Sequence, residues 1–329
     1  MSGGAAHSDT EPARHRFAAS LIICSHNPRP AYLARTMDGL RRQDLDQENW
    51  ELLLVDNASA QPLSQSCDLS WHRYGRHVLE PELGLTSARL RGMREAASEL
   101  LVFVDDDNVL AANYLSEAVR IGRDWPWLGT WGSGAIRPEY ELQPQKHLEK
   151  LLPNLALRQA SARRWSNLFP CVEATPWGAG LCVRKRVAEA YFEAEGRMLQ
   201  ISDRRGASLI SGGDVDISYA ACSSGLGMGV FPELELTHLI PKERVSEDYL
   251  LRLYQGIIAS NYMLSYKWKG HEPWSPFRPR ALLSVLKNAC LRRGIERRIY
   301  FAGLSAAAEA HRLIAAQRAN APSPDHQVN

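Results

Sequence analysis

ELLVFVDDDN, residues 99–108, places five consecutive apolar residues directly before three carboxylates. A short apolar run bounded by polar residues reads as a strand buried on both faces, and such strands favour a parallel sheet. Three adjacent carboxylates repel one another and need a cation or hydrogen-bond donors nearby. Alternate residues on an extended strand end point the same way, which brings Asp105 and Asp107 together. Two readings follow. The pair is a hard-oxygen site for Mg2+ or Mn2+, of the kind that bridges substrate phosphates, or it is a loop cluster ahead of a helix expected around Tyr114–Ile121.

Working outward, two further apolar runs match the first: SLIIC at 20–24 and ELLLV at 51–55. Helical patterns separate them. YLARTMDGLRRQ at 32–43 carries Leu33, Met37 and Leu40 at i, i+4 and i+7, with Pro30 near its start. TSARLRGMREAAS at 86–98 puts Leu90, Met93 and Ala97 on one face. Strand–helix–strand alternation predicts an α/β protein with a doubly wound, mostly parallel sheet. Ligands of such sheets sit at the carboxyl ends of the strands. Those ends carry Ser25-His26-Asn27, Asp56-Asn57 and Asp105-Asp106-Asp107, so all three are expected to face one crevice. Asp56 is either a nucleotide contact or a turn residue of DNAS. No GxGxxG follows the first strand and no GxxxxGK[ST] occurs, which disfavours a dinucleotide site and excludes a P-loop.

The second third is less regular. It holds Trp125, Trp127 and Trp131, read as core, and the turn Trp177-Gly178-Ala179-Gly180, whose tryptophan reads equally as a sugar platform or as core. A short helix is expected over Arg184–Ala194, and two short strands near Met228–Phe231 and Leu234–Ile240. Asp214 stands just before the helical stretch VDISYAACSSG, in the place of a helix cap. Asp216 reads as a first-turn residue. From Ser246, with Glu247 and Asp248 behind it, the pattern is helical again.

The 329 residues are 45% hydrophobic and 23% charged, the balance of a soluble globular protein. No run of about 18 apolar residues exists, so no membrane span is expected. The first 20 residues lack an apolar core, so no secretory signal is expected. Six scattered cysteines without a CxxC pair fit free thiols in a reducing cytosol. Net charge is +2, yet Lys267–Arg298 holds nine basic and two acidic residues. That segment, beside Trp268, Trp274 and Phe277, is a solvated helix face or a surface for anionic lipid.

Taken together, SLIICSHNPRPAYLARTMDGLRRQ, WELLLVDNAS, ELGLTSARLRGMREAASELLVFVDDDN, SGGDVDIS and ELTHLIPKER resemble, in order and spacing over about 19–245, the inverting glycosyltransferases of family 2 with the GT-A fold. The resemblance implies a nucleotide-sugar donor, UDP-linked as is usual for the family, a divalent Mn2+ or Mg2+, and a saccharide or lipid-linked acceptor, without nucleic acid. It implies that Cys24, His26 and Asp56 line the base pocket and that Arg89, Asp105 and Asp106 hold the nucleotide. Asp107 and His238 would ligate metal together with Asp105, and Asp214 would be the general base. Trp177, Gly178, Gly213 and Asp216 would meet the acceptor. The chain departs from the family in lacking an aromatic near His26, in having Gly213 where many members have Glu, and in the composition of 197–209. The expected organisation is a disordered tail 1–17, a transferase domain 18–245, a helical region 246–317 and a disordered tail 318–329, in a cytoplasmic, membrane-peripheral protein. A sugar nucleotidyltransferase and a non-catalytic nucleotide-sugar-binding protein are the competing readings. The first would need a Gly-rich, Arg-bearing loop in place of Ser25-His26-Asn27-Pro28.

Overall fold

The computed structural model describes residues 17–193, 209–275 and 279–320. The expectations for 1–16, for the bulk of 197–209, for Phe277 and for 321–329 lie outside these residues. One mixed sheet organises the chain. Its strands are β1 (Ala19–Ser25), β2 (Trp50–Asn57), β3 (Gly75–Glu80), β4 (Leu100–Asp105), β5 (Asn108–Leu110), β6 (Leu128–Tyr140), β7 (Arg158–Gln159), β8 (Arg164–Ser166), β9 (Leu181–Arg184) and β10 (Gly227–Ile240). The order is β3-β2-β1-β4-β9-β6-β10-β5, with β7 on β6 and β8 on β10. The long ladders β1–β2, β1–β4, β2–β3 and β6–β10 are parallel, and the short ones around β9, β5, β7 and β8 are antiparallel. The sheet is therefore mostly parallel, as the apolar runs predict.

The strand alternation sorts two cores. Leu21, Ile23, Leu52, Leu54, Val102 and Val104 pack with Leu33, Met37 and Leu40 of α1 (Pro30–Arg41) and with Tyr114, Leu115 and Ile121 of α3 (Tyr114–Asp124). Ile22, Leu53, Val55, Leu101 and Phe103 face the other way. They meet Ala88, Leu90 and Met93 of α2 (Leu85–Glu95), Val187 of α4 (Lys185–Glu193) and Ile217 of α5 (Gly213–Ser223). Burial on both faces explains why these strands lack polar alternation.

The two strands expected around 228–240 are one, β10, with a register shift against β6 between Phe231 and Glu235. The bulge absorbs Pro232, so pairing resumes on the far side instead of ending. Of the tryptophan cluster Trp131 is core, but Trp127 is 46% exposed. Past Ser246, whose side chain caps α6 (Glu247–Lys269) through the Tyr249 N–H, come α7 (Pro279–Leu291) and α8 (Gly294–Asn320). Helix α8 reaches Asn320, so residues 318–320, expected in the tail, are helical. Among the described residues no helix is long and apolar enough to cross a membrane.

Candidate functional site

A cleft of about 350 Å³ opens at the carboxyl ends of β1 and β4. Cys24, Ser25, His26, Asn57, Asp105, Asp106, Asp107 and His238 line it, together with Gly84 and Leu85 at the start of α2 and Arg244 and Tyr249 beyond β10. The strand-end crevice read from the sequence is thus present. Asp56 and Asn27 stand outside its lining.

Each side chain has a definite support. His26 donates from Nδ1 to the Asn57 carbonyl at 2.7 Å, and its Nε2 accepts from Asn27 Nδ2 at 2.9 Å. Both nitrogens are engaged, so the ring offers its face. Asn57 accepts from the Gly84 N–H at 2.8 Å and donates to the carbonyls of Glu80 and Glu82, which fixes the loop before α2. Asp56 is 5% exposed, and its two oxygens accept the Ser59 and Leu63 N–H groups at 3.0 and 2.9 Å. It therefore serves the turn. Burial works to raise its pKa, but those hydrogen bonds outweigh burial and leave the carboxyl below the ordinary value. Burial pushes the Cys24 thiol up to about 12, so it is a neutral wall.

The three aspartates diverge. Asp106 accepts from Ser25 Oγ at 2.5 Å, and burial, followed by the charge of Asp107, lifts its pKa to about 7. Asp107 is held through Oδ1 by Asn108 Nδ2 at 3.0 Å, while its Oδ2 lies 3.4 Å from His238 Nε2. His238 donates from Nδ1 to the Leu155 carbonyl at 3.0 Å, which leaves the Nε2 lone pair directed at the cleft. Register brings these residues together, since His238 pairs with Asn108 across β10 and β5. Arg244 Nη1 donates to Asp107 Oδ2 at 2.8 Å and stands 3.3 Å from His238 Nε2. It sits on a turn held by the Arg29–Glu243 ion pair and by the Lys242 N–H to Glu141.

A carboxylate oxygen and an imidazole nitrogen, each oriented by a second partner, thus converge on one point of the cleft. Among the described residues no group of three or more His, Cys, Asp or Glu side chains is placed to hold a metal ion, and Arg244 supplies positive charge to the same two atoms.

Asp214 belongs to a neighbouring cluster. Ala179 lines the cleft, and the Gly178 N–H beside it donates to Asp214 Oδ2 at 2.6 Å. The cap of α5 is Gly212, so Asp214 is a first-turn residue and not the cap. A Cβ at Gly178 would lie 2.5 Å from Arg89 Nη2 and 3.5 Å from Asp214 Oδ2, so all three crowd one point. Arg158 stacks on Trp177 at 3.7 Å and bonds the Thr175 carbonyl. Burial lowers the pKa of Arg158 to about 10 against the opposing pull of Asp214, so it stays charged at neutral pH beside that carboxylate. One ring face of Trp177 is therefore taken, and the ring packs against the main core.

Asp216, expected at the acceptor, is instead fully buried and accepts from Tyr191 Oη at 2.7 Å, Lys267 Nζ at 2.7 Å and Trp268 Nε1 at 2.8 Å. It is a first-turn residue of α5, and Gly213 is likewise buried. Asn57 was expected at the crevice and lines it, while Arg244, Asn108 and Arg158 are contributors that sequence reading missed. A basic residue six positions after His238 was the one available signal.

Gly178→Ala is expected to leave the melting temperature close to wild type, because only the mobile end of Arg89 must move. Turnover should fall roughly 10–10²-fold, since small misplacements beside a reacting group cost that much. Melting and donor turnover measured on one preparation check it; unchanged turnover would show that the position of Arg89 does not matter.

A strand-end carboxylate cluster lies over a mostly parallel mixed sheet. Residues 20–126 match the Glycosyl transferase family 2 model. It is 24% identical over 167 residues to EpsH of Bacillus subtilis (strain 168), a protein provisionally assigned as a glycosyltransferase. That match spans 46% of each chain, just under half the length of the curated relative. Among solved structures, the fold is similar to the mannosyltransferase PcManGT of Pyrobaculum calidifontis in complex with GDP-Man and Mn2+, with TM-score 0.54, 18% identity, and 96% of this chain and 84% of that one covered. It is also similar to S. aureus TarS 1–349 in complex with UDP-GlcNAc, with TM-score 0.50, 13% identity and 92% of both chains covered.

Proposed function

We infer that this protein is a metal-dependent inverting glycosyltransferase that moves a sugar from a nucleotide-diphosphate donor, a UDP-sugar, to an acceptor hydroxyl. The observation that carries this reading is the convergence of Asp107 Oδ2 and His238 Nε2 at 3.4 Å over the strand ends. Departure of a nucleoside diphosphate leaves negative charge on two phosphates, and a divalent cation held by Asp107, His238 and Asp105 would neutralise it. The His26 face and Cys24 form the base-side wall, and the N-terminal end of α2, from Leu85 on, would face the phosphates. Asp214, oriented by the Gly178 N–H, takes the proton from the acceptor hydroxyl. Arg89 and Arg158 keep positive charge beside it. The acceptor is a saccharide or a lipid-linked glycan, and the protein works at the cytoplasmic face of an anionic membrane. Neighbours of the same fold are solved with UDP-GlcNAc and with GDP-Man and Mn2+, which supports a nucleotide-sugar donor without choosing its base.

The test is thermal stabilisation by UDP, GDP and their sugars, each with Mn2+ and with chelator, followed by donor hydrolysis. A ligand that binds only the folded state raises apparent stability. Stabilisation by a nucleotide-sugar only when Mn2+ is present is the expected result. Equal stabilisation in chelator would remove the metal from the reading, and release of pyrophosphate from a nucleoside triphosphate would replace transfer by nucleotidyl transfer.

A further inference from the structure

The basic C-terminal segment resolves into two unlike parts. Lys267 is 7% exposed and ion-paired to Asp216, and Trp268 bonds the same carboxylate, so neither faces solvent as an interface residue would. Helix α7 behaves oppositely. Leu283, Leu286 and Leu291 are 78%, 61% and 70% exposed, and the packing of α7 within the chain is to α8. Leu283, Leu286 and Cys290 recur at i, i+3 and i+7, so they share one stripe, and exposed Lys287 flanks it. From Pro273 to Ile295 the chain has five Lys/Arg and no Asp/Glu.

An apolar stripe bordered only by positive charge selects its partner. A second copy of the chain would bring the same charge to the contact and repel. A neutral apolar groove would leave the basic rim without counter-charge. A bilayer bearing anionic headgroups satisfies both features at once. We propose that α7 is an in-plane docking helix for anionic membrane: Leu283, Leu286 and Cys290 enter the headgroup–acyl boundary, and Lys287 and Arg293 meet lipid phosphates. This deepens the transferase reading, on which the link to a lipid-linked acceptor rests, because it names the surface that would bring such an acceptor near the cleft.

The experiment is co-sedimentation of the full chain with vesicles of phosphatidylcholine alone and with about one-third phosphatidylglycerol, at low and high salt. Binding to the anionic vesicles, weakened by salt, is expected. Lys287→Ala with Arg293→Ala should weaken it about 30-fold, since each basic residue near an anionic surface contributes about fivefold. Leu283→Glu with Leu286→Glu should abolish it. Both pairs are exposed, so melting should not change, and neither lines the cleft, so nucleotide affinity should not change. Absence of binding to anionic vesicles, or binding indifferent to both pairs, overturns the proposal. A soluble dimer dissolved by the leucine pair would assign the face to a second copy and also overturns it. Vesicle binding without any nucleotide binding would leave this proposal standing and sink the transferase reading.

Discussion

Asp214→Asn lowers sugar transfer by about 10²–10⁴-fold, the usual loss for a general base, while donor affinity stays within a few-fold. The asparagine keeps the size of the side chain and one oxygen for the Gly178 N–H at 2.6 Å, so the turn survives. What disappears is the proposed proton acceptor, which would act on the acceptor hydroxyl and contribute in the transition state. Single-turnover transfer and nucleotide titration on the same variant check both halves. Near-normal turnover would refute the assignment, and Asp216 would not inherit the role, because it is fully buried under three donors. Asp216→Asn should instead show up as lost stability, of roughly 3 kcal/mol or more, because removing one partner strands the buried Lys267 charge.

The second large effect is a pair of opposite shifts. Asp107→Asn should weaken Mn2+ binding and Arg244→Met should tighten it, each by about tenfold or more. Unit charges 4 Å apart interact by about 4 kcal/mol at an effective dielectric near 20, so removing a cation from the donor set is felt strongly. Methionine keeps the unbranched length of arginine without its charge. Titration of Mn2+ by calorimetry or electron paramagnetic resonance, without donor present, reads both. If both substitutions weaken Mn2+ binding, Arg244 supports the metal instead of competing with it. If neither matters, the ion binds elsewhere, and the Arg244 charge itself becomes the candidate to face the phosphates.

Runs with an unbroken apolar character were legible. β1, β2 and β4 fall within a residue or two of their sequence limits, and the polar residues at their ends line one cleft except Asn27 and Asp56. The thirteen-residue β6 was not legible, because Gly129, Gly132, Gly134 and Pro138 contradict strand propensity. The sheet explains one of these glycines: a Cβ at Gly134 would lie 2.5 Å from the carbonyl carbon of Phe231. That neighbour stands nearly a hundred residues away, so no local pattern announces it. β9 was hidden likewise, its four residues drawing their strand character from β4 and β6 on either side. At the site, carboxylates on strand ends could be read. The Asp107–Arg244 ion pair, which spans 137 residues, could not.

The buried carboxylate of Asp216 bears on where the protein can be divided. A boundary at Val245 separates a sheet portion from a helical one on paper. Cutting the chain there would remove Lys267 and Trp268 and leave Asp216 with Tyr191 as its remaining donor among the three. It would also take Tyr249 and Leu253 from the cleft wall. A fragment ending at 245 would therefore retain the strands and yet lose the floor under the helix that carries Asp214. The smallest self-sufficient piece runs at least through Trp268, and α6 is as much a part of the reaction vessel as β4.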